Sequence, residues 1–176
     1  MSVVASRYAR ALIDAMEPDG TESGLGQLRS FAAVIENEDA RKLLLNPVIP
    51  HERREAFLDA VSESAGFDGR VCKLLKLIVE RRRLNIFSDL IGSYQKLLDE
   101  RNGIVRVLVS AASLLGESDR EAIFEHLKDA TGKQVELEFE EDRSLIGGVV
   151  VKIGGTVYDG SIKRQLQGFK TQLLDG

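Results

Sequence analysis

The apolar pattern of this chain changes period once, at Arg101-Asn102-Gly103, and no single fold class accommodates both halves. Before that point apolar residues recur at helical spacing. Phe31, Ala32 and Ile35 follow Leu25 and Leu28 on one face, and Phe57, Leu58, Val61 and Ala65 repeat the pattern after His51. Ile86, Phe87, Leu90, Ile91, Tyr94, Leu97 and Leu98 make the longest run, reading i, i+1, i+4, i+5, i+8. The spacing predicts helices over about 3–16, 22–36, 38–45, 51–65, 68–83 and 86–101. The breakers agree: Pro18-Asp19-Gly20, the Asn46-Pro47-Val48-Ile49-Pro50 segment, and Gly66 with Gly69 fall between them. Connections this short imply that neighbouring helices pack side by side.

After Gly103 the signal is strand-like. Ile104 to Val109 is apolar apart from Arg106 and mostly β-branched, and Gln134 to Glu140 alternates strictly, with carboxylates on one face. Val149 to Ile153, Gly154-Gly155 and Thr156-Val157-Tyr158 read as a hairpin with a two-residue turn. Two helices are expected among these strands. One starts at Ser118, in a capping box with Glu121, and turns Ile123, Leu127 and Ala130 inward; the last starts near Ser161 and carries Ile162, Leu166, Phe169 and Leu173. The expected architecture is an all-α six-helix bundle over residues 1–102, followed by a small α+β domain over residues 103–176.

Composition narrows the functions open to such a chain. With 176 residues, 43% hydrophobic and 30% charged, it can bury a core and is not intrinsically disordered. No stretch approaches the roughly 18 uncharged apolar residues of a membrane span, so direct membrane insertion is not expected. The single cysteine, Cys72, excludes an internal disulfide framework. Met1-Ser2-Val3-Val4-Ala5 lacks the basic and apolar regions of a signal peptide. A net charge of −4, with neither half basic, leaves any nucleic-acid reading to a local patch.

That patch is Arg81-Arg82-Arg83, with Lys73 and Lys76 nearby. It opens the alternative of a helical RNA-binding adaptor, against the plainer reading of cations favoured at a helix C-terminus. No aromatic residues interleave with it for base stacking. His51-Glu52-Arg53-Arg54-Glu55 imitates the zinc-protease helix, but Glu55 stands where the second histidine is needed, so no metal is expected. Gly155 to Ile162 has phosphate-loop glycine spacing, but Ser161 stands where the lysine is needed, so no nucleotide or other cofactor is expected. No nucleophile elbow is present, and Cys72, inside an apolar helix, reads as an inert core thiol. No catalytic group is expected.

The most informative feature is helix breadth. At about 100° per residue, Ala11, Val4, Ala15, Tyr8, Leu12, Ala5, Met16, Ala9 and Ile13 cover about 200° of the first helix, where a one-sided surface helix needs little more than about 100°. In the fifth helix Leu77, Leu74, Ile78, Val71, Leu75, Val79 and Cys72 cover about 220°. Both could be central helices of their own bundle. In a bundle this small, some of that surface is expected to receive a partner helix.

Ala5-Ser6-Arg7-Tyr8-Ala9-Arg10-Ala11-Leu12 resembles the opening of the delta subunit family of F-type ATP synthases, called the oligomycin-sensitivity-conferring protein in mitochondria. Asn46-Pro47-Val48-Ile49 resembles the family's Asn-Pro turn, and Leu74 to Leu84 its fifth-helix segment. The C-terminal signature runs from Ile146-Gly147-Gly148 through Gly154 to Val157-Tyr158-Asp159-Gly160-Ser161-Ile162 and Leu166. One departure is Arg81-Arg82, where many relatives carry Asn or Gly. The resemblance implies a non-catalytic stator subunit, one copy in a hetero-oligomeric complex, joining the catalytic head to the peripheral stalk. It implies that the N-terminal helix of an alpha subunit docks between the first and fifth helices, placing Val4, Tyr8, Ala11 and Ala15 on one wall and Leu74, Leu77 and Ile78 on the other. It also implies that the C-terminal domain meets the C-terminal end of subunit b, with Glu136, Glu138 and Glu140 a candidate surface. The lack of a transit-like start suggests a bacterial member at the cytoplasmic face of the cell membrane.

Overall fold

A computed structural model describes residues 2–16, 20–113, 115–145 and 147–161. The chain divides into two compact units, Met1–Leu98 and Asp99–Gly176. The helix expected after Ser161 lies outside the described residues.

The first unit is helical. Its elements are α1 (Val3–Met16), α2 (Thr21–Glu36), α3 (Glu38–Leu45), α4 (His51–Ser64), α5 (Gly69–Glu80), a single 3₁₀ turn at Leu84–Ile86, and α6 (Phe87–Asn102), which runs on past the division. Local chemistry sets several of these boundaries. The Asn37 side chain accepts from the Asp39 and Ala40 N–H groups and starts α3; Asp68 accepts from the Arg70 N–H and starts α5. Ala5, Ala9, Ile13, Leu28, Phe31, Leu75, Ile78 and Leu90 are fully buried in one core. Phe31 and Phe87 meet edge to face, ring centroids 5.3 Å apart. Tyr94 crosses this core and donates its hydroxyl to the Thr21 carbonyl at 2.8 Å, fastening the start of α2. Gly24 makes that approach possible, since a Cβ there would lie 2.8 Å from the Tyr94 oxygen and 2.5 Å from the Met16 sulfur.

The end of α5 departs from the expected helix, which ran to Arg83. The chain leaves the helix at Arg81, Arg82 takes the left-handed conformation at φ 54°, and Arg83 donates its N–H back to the Ile78 carbonyl at 2.9 Å while Arg82 donates to Val79. This pair of back-bonds satisfies helix-end carbonyls and normally places glycine or asparagine at the left-handed position. The arginine there explains why sequence signals overran the helix.

The second unit is a sheet with one described helix. β1 (Ile104–Ala111) pairs parallel with β2 (Gln134–Glu141) and antiparallel with β3 (Val149–Ile153), and β3 pairs with β4 (Thr156–Asp159), giving the order β2-β1-β3-β4. The parallel pair requires a crossover, which α7 (Glu117–Thr131) supplies. Val107, Val109 and Val135 form the buried centre on the helix side of the sheet, with Ile123, Phe124, Leu127, Leu137 and Phe139 packed against it. Two expectations for α7 are corrected. Ser118 is not its cap: the helix starts one residue earlier, after Gly116, with no capping side chain. Ala130, near the C-terminal end of the helix, is exposed, and Phe124 joins Ile123 and Leu127 against the buried centre of the sheet. The segment with phosphate-loop spacing is extended: Gly154-Gly155 is the hairpin turn, with Gly154 at φ 57°, and β4 occupies most of the interval to Gly160.

Candidate functional site

α1 has two apolar arcs, and the first unit buries only one of them. With Val4 set at 0° and about 100° per residue, Leu12, Ala5, Met16, Ala9 and Ile13 lie between about 80° and 180°, and all five are buried. Val4, Ala15, Tyr8 and Ala11 lie between about −20° and 40°; Val4 and Tyr8 are half-buried, while Ala11 and Ala15 are exposed. A strip of small side chains therefore stands outside the core that the rest of α1 completes, with Tyr8 packed against the core's edge and partly open to solvent.

Neighbouring elements fix this strip from both sides. Ser6 meets Ser93 of α6, oxygen to oxygen at 3.2 Å, on the flank away from the strip. The Ser2 N–H donates to the Asp89 carboxylate at 2.9 Å and holds the start of the helix. On the strip side runs α5, antiparallel to α1. Arg70, at its beginning, donates to the Ala15 carbonyl at 2.8 Å, satisfying one of the acceptors that a helix end leaves open. Arg83, just past its end, donates to the Tyr8 hydroxyl oxygen at 2.8 Å. Arg70 is itself gripped by Asp68, and those hydrogen bonds hold the Asp68 carboxyl well below its usual range, at about 2.

On α5 the expected wall is thinner than its apolar breadth suggested. Leu77 is half-buried and Leu74 is 8% exposed, but Ile78 has no exposed surface. Ile78 belongs to the bundle core and backs the strip without offering it a contact surface. The broad arc of α5 is spent on several neighbours, since Val71, Leu75 and Val79 are buried too. Cys72 is corrected likewise: it is half-buried, and its thiol lies 3.6 Å from the Asp59 carboxylate rather than in the core.

The three consecutive arginines do not act as one patch. Arg83 is engaged with Tyr8, whereas Arg82 lines a separate cleft of about 410 Å³ with Ala32, Ile35, Leu45, Phe87 and Ile91. Sequence spacing gave no sign of that cleft, because its walls come from distant elements. In the second unit Glu136, Glu138 and Glu140 share the sheet face opposite α7. Glu136 pairs with Arg106 across the strands, and Ser110 donates to Glu140 at 2.6 Å. Glu138 stands opposite Leu108 and is exposed. No group of three or more potential metal ligands occurs among the described residues. No helix among them is long and apolar enough to cross a membrane.

Residues 4–173 match the family model described as the ATP synthase delta (OSCP) subunit. "ATP synthase subunit delta" of Syntrophus aciditrophicus (strain SB) is 35% identical over 174 residues, covering 98% of this chain and 96% of the relative. The protein of the same name from Desulfosudis oleivorans is 38% identical over 176 residues, covering 99% and 96%. Among solved structures, a chain of the Toxoplasma gondii mitochondrial ATP synthase hexamer superimposes with a TM-score of 0.70 at 21% identity, covering 98% of each chain. That last likeness is one of fold. The RNA-binding alternative finds no support in these relatives or in the divided arginines.

Proposed function

The chain belongs to the ATP synthase delta (OSCP) subunit family, and from that premise we propose that it is a non-catalytic stator subunit that ties the catalytic head to the peripheral stalk. The first unit is the family's six-helix bundle. It receives the N-terminal helix of an alpha subunit along the strip of Val4, Tyr8, Ala11 and Ala15, with Leu74 and Leu77 as the facing wall. The second unit meets the C-terminal end of subunit b. The complex holds one copy of the chain, at the cytoplasmic face of a bacterial membrane that the chain itself does not enter.

The observation that carries the head contact is the second apolar arc of α1. An exposed apolar strip costs solubility unless something covers it, and small side chains let a helix backbone approach closely. A stator must resist torque, so its chemistry is static burial rather than turnover. The contact to subunit b rests on the family premise and on the open, charge-bearing sheet face at Glu136, Glu138 and Glu140. Affinity capture from native membranes tests both contacts: the tagged chain should retain alpha and b subunits together. Retention of neither would contradict the proposal.

A further inference from the structure

Arg83 is delivered to the strip by the backbone. Its N–H is bonded to the Ile78 carbonyl, the next residue, Leu84, is buried at 8% exposure, and the left-handed turn at Arg82 sets its direction. Its side chain spans back to α1, donating to the Tyr8 oxygen at 2.8 Å with the guanidinium carbon 5.9 Å from the ring centroid. Among the described residues no carboxylate pairs with Arg83, which is exposed. A guanidinium carries five N–H donors, and Tyr8 uses one of them. Tyr8, acting as acceptor toward Arg83, keeps its own O–H available to donate.

The strip is therefore edged, on the side of Tyr8, by two donors, a phenol and an unneutralised guanidinium, held side by side. We propose that Arg83 is a specificity-determining residue of the docking strip: it fixes Tyr8 as a wall and, with the Tyr8 hydroxyl, receives a carboxylate of the incoming helix. This inference rests on the head-docking reading above and adds the partner's chemistry. The docked helix is amphipathic, its apolar face lies on Val4, Ala11 and Ala15, and an aspartate or glutamate flanks that face along the Tyr8 edge. Charge-assisted bonds of this kind select partners and register, while apolar burial supplies the bulk of the affinity.

The test uses the full chain and a synthetic peptide of the alpha-subunit N-terminus from the same enzyme, titrated by calorimetry at low and at high salt. Arg83→Gln should weaken binding about tenfold at low salt, with the gap closing to about threefold or less when salt screens the pair. Tyr8→Phe should weaken it too, and the double variant should be no worse than Arg83→Gln alone, since the two groups act on one carboxylate. Changing the peptide's acidic residues singly to amides should reveal one position at which Arg83→Gln no longer matters. Arg83→Lys should recover part of the loss, because it restores charge without the fork. Thermal melts of each variant should match wild type, given the exposure of Arg83. Wild-type affinity in Arg83→Gln at both salt levels, or additive losses in the double variant, would overturn the inference while leaving the docking strip intact. A wild-type chain that does not bind the peptide would instead remove the strip reading, and this inference with it.

Discussion

Ala11→Asp separates a docking surface from a structural one. Ala11 is exposed, flanked on α1 by Arg7 one turn before and Asp14 nearly one turn after. In the free chain the new carboxylate stays in water. Its cost is the helix propensity difference, about 0.5 kcal/mol. Attraction to Arg7 and repulsion from Asp14, each a few tenths of a kcal/mol, nearly cancel. The melting temperature should therefore fall by only a few degrees for a unit of this size. In the complex the same carboxylate lies under a helix, between Val4 and Ala15, and Arg7 on the solvent flank returns only a few tenths of a kcal/mol. Its desolvation should cost about 3 kcal/mol, more than a hundredfold in affinity. Titration of the alpha-subunit peptide against wild type and Ala11→Asp, with melts of both, reads the two quantities separately. Unchanged affinity in a folded variant would refute the docking strip. A loss of several kcal/mol in fold stability would show that Ala11 packs inside the bundle.

Three further outcomes follow from particular residues. Arg82→Gly should raise fold stability by about 1 kcal/mol, seen as a higher denaturant midpoint, because it relieves a left-handed arginine at φ 54°. Burial pushes the Tyr94 hydroxyl up to about 12 from an ordinary value of 10. Its neutral form is favoured by folding, so that stability is complete below pH 10 and lost as pH rises through 12; a pH series of melts should show the loss in wild type and not in Tyr94→Phe. Calorimetry with magnesium ATP should give no micromolar binding, because β4 extends between Gly155 and Gly160 and the lysine of a phosphate loop is missing.

The period switch made the two-part architecture legible, and the glycine hairpin was legible because Gly154-Gly155 joins two β-branched runs. Helical angles also separated the strip from the core of α1, since positions only about 40° apart on a narrow helix can fall on different neighbours. They could not do so for α5. An angle says where a side chain points, not how many helices surround it, and Ile78 lies where several meet. The end of α5 was hidden because Arg82 adopts a conformation that composition assigns to glycine or asparagine. The Tyr8–Arg83 contact was out of reach for a different reason: the residues are 75 positions apart and only the antiparallel packing of α1 on α5 joins them.

The central claim is that one chain bridges head and stalk through separable surfaces, and bridging can be measured directly. The soluble part of subunit b is immobilised, the chain is added, and retention of the purified catalytic head is followed by surface plasmon resonance. The account predicts that the head is retained only when the chain is present. It also predicts that the Ala11→Asp chain still binds subunit b but no longer retains the head. Retention of the head by subunit b without the chain, or loss of both contacts in a folded Ala11→Asp chain, would contradict it.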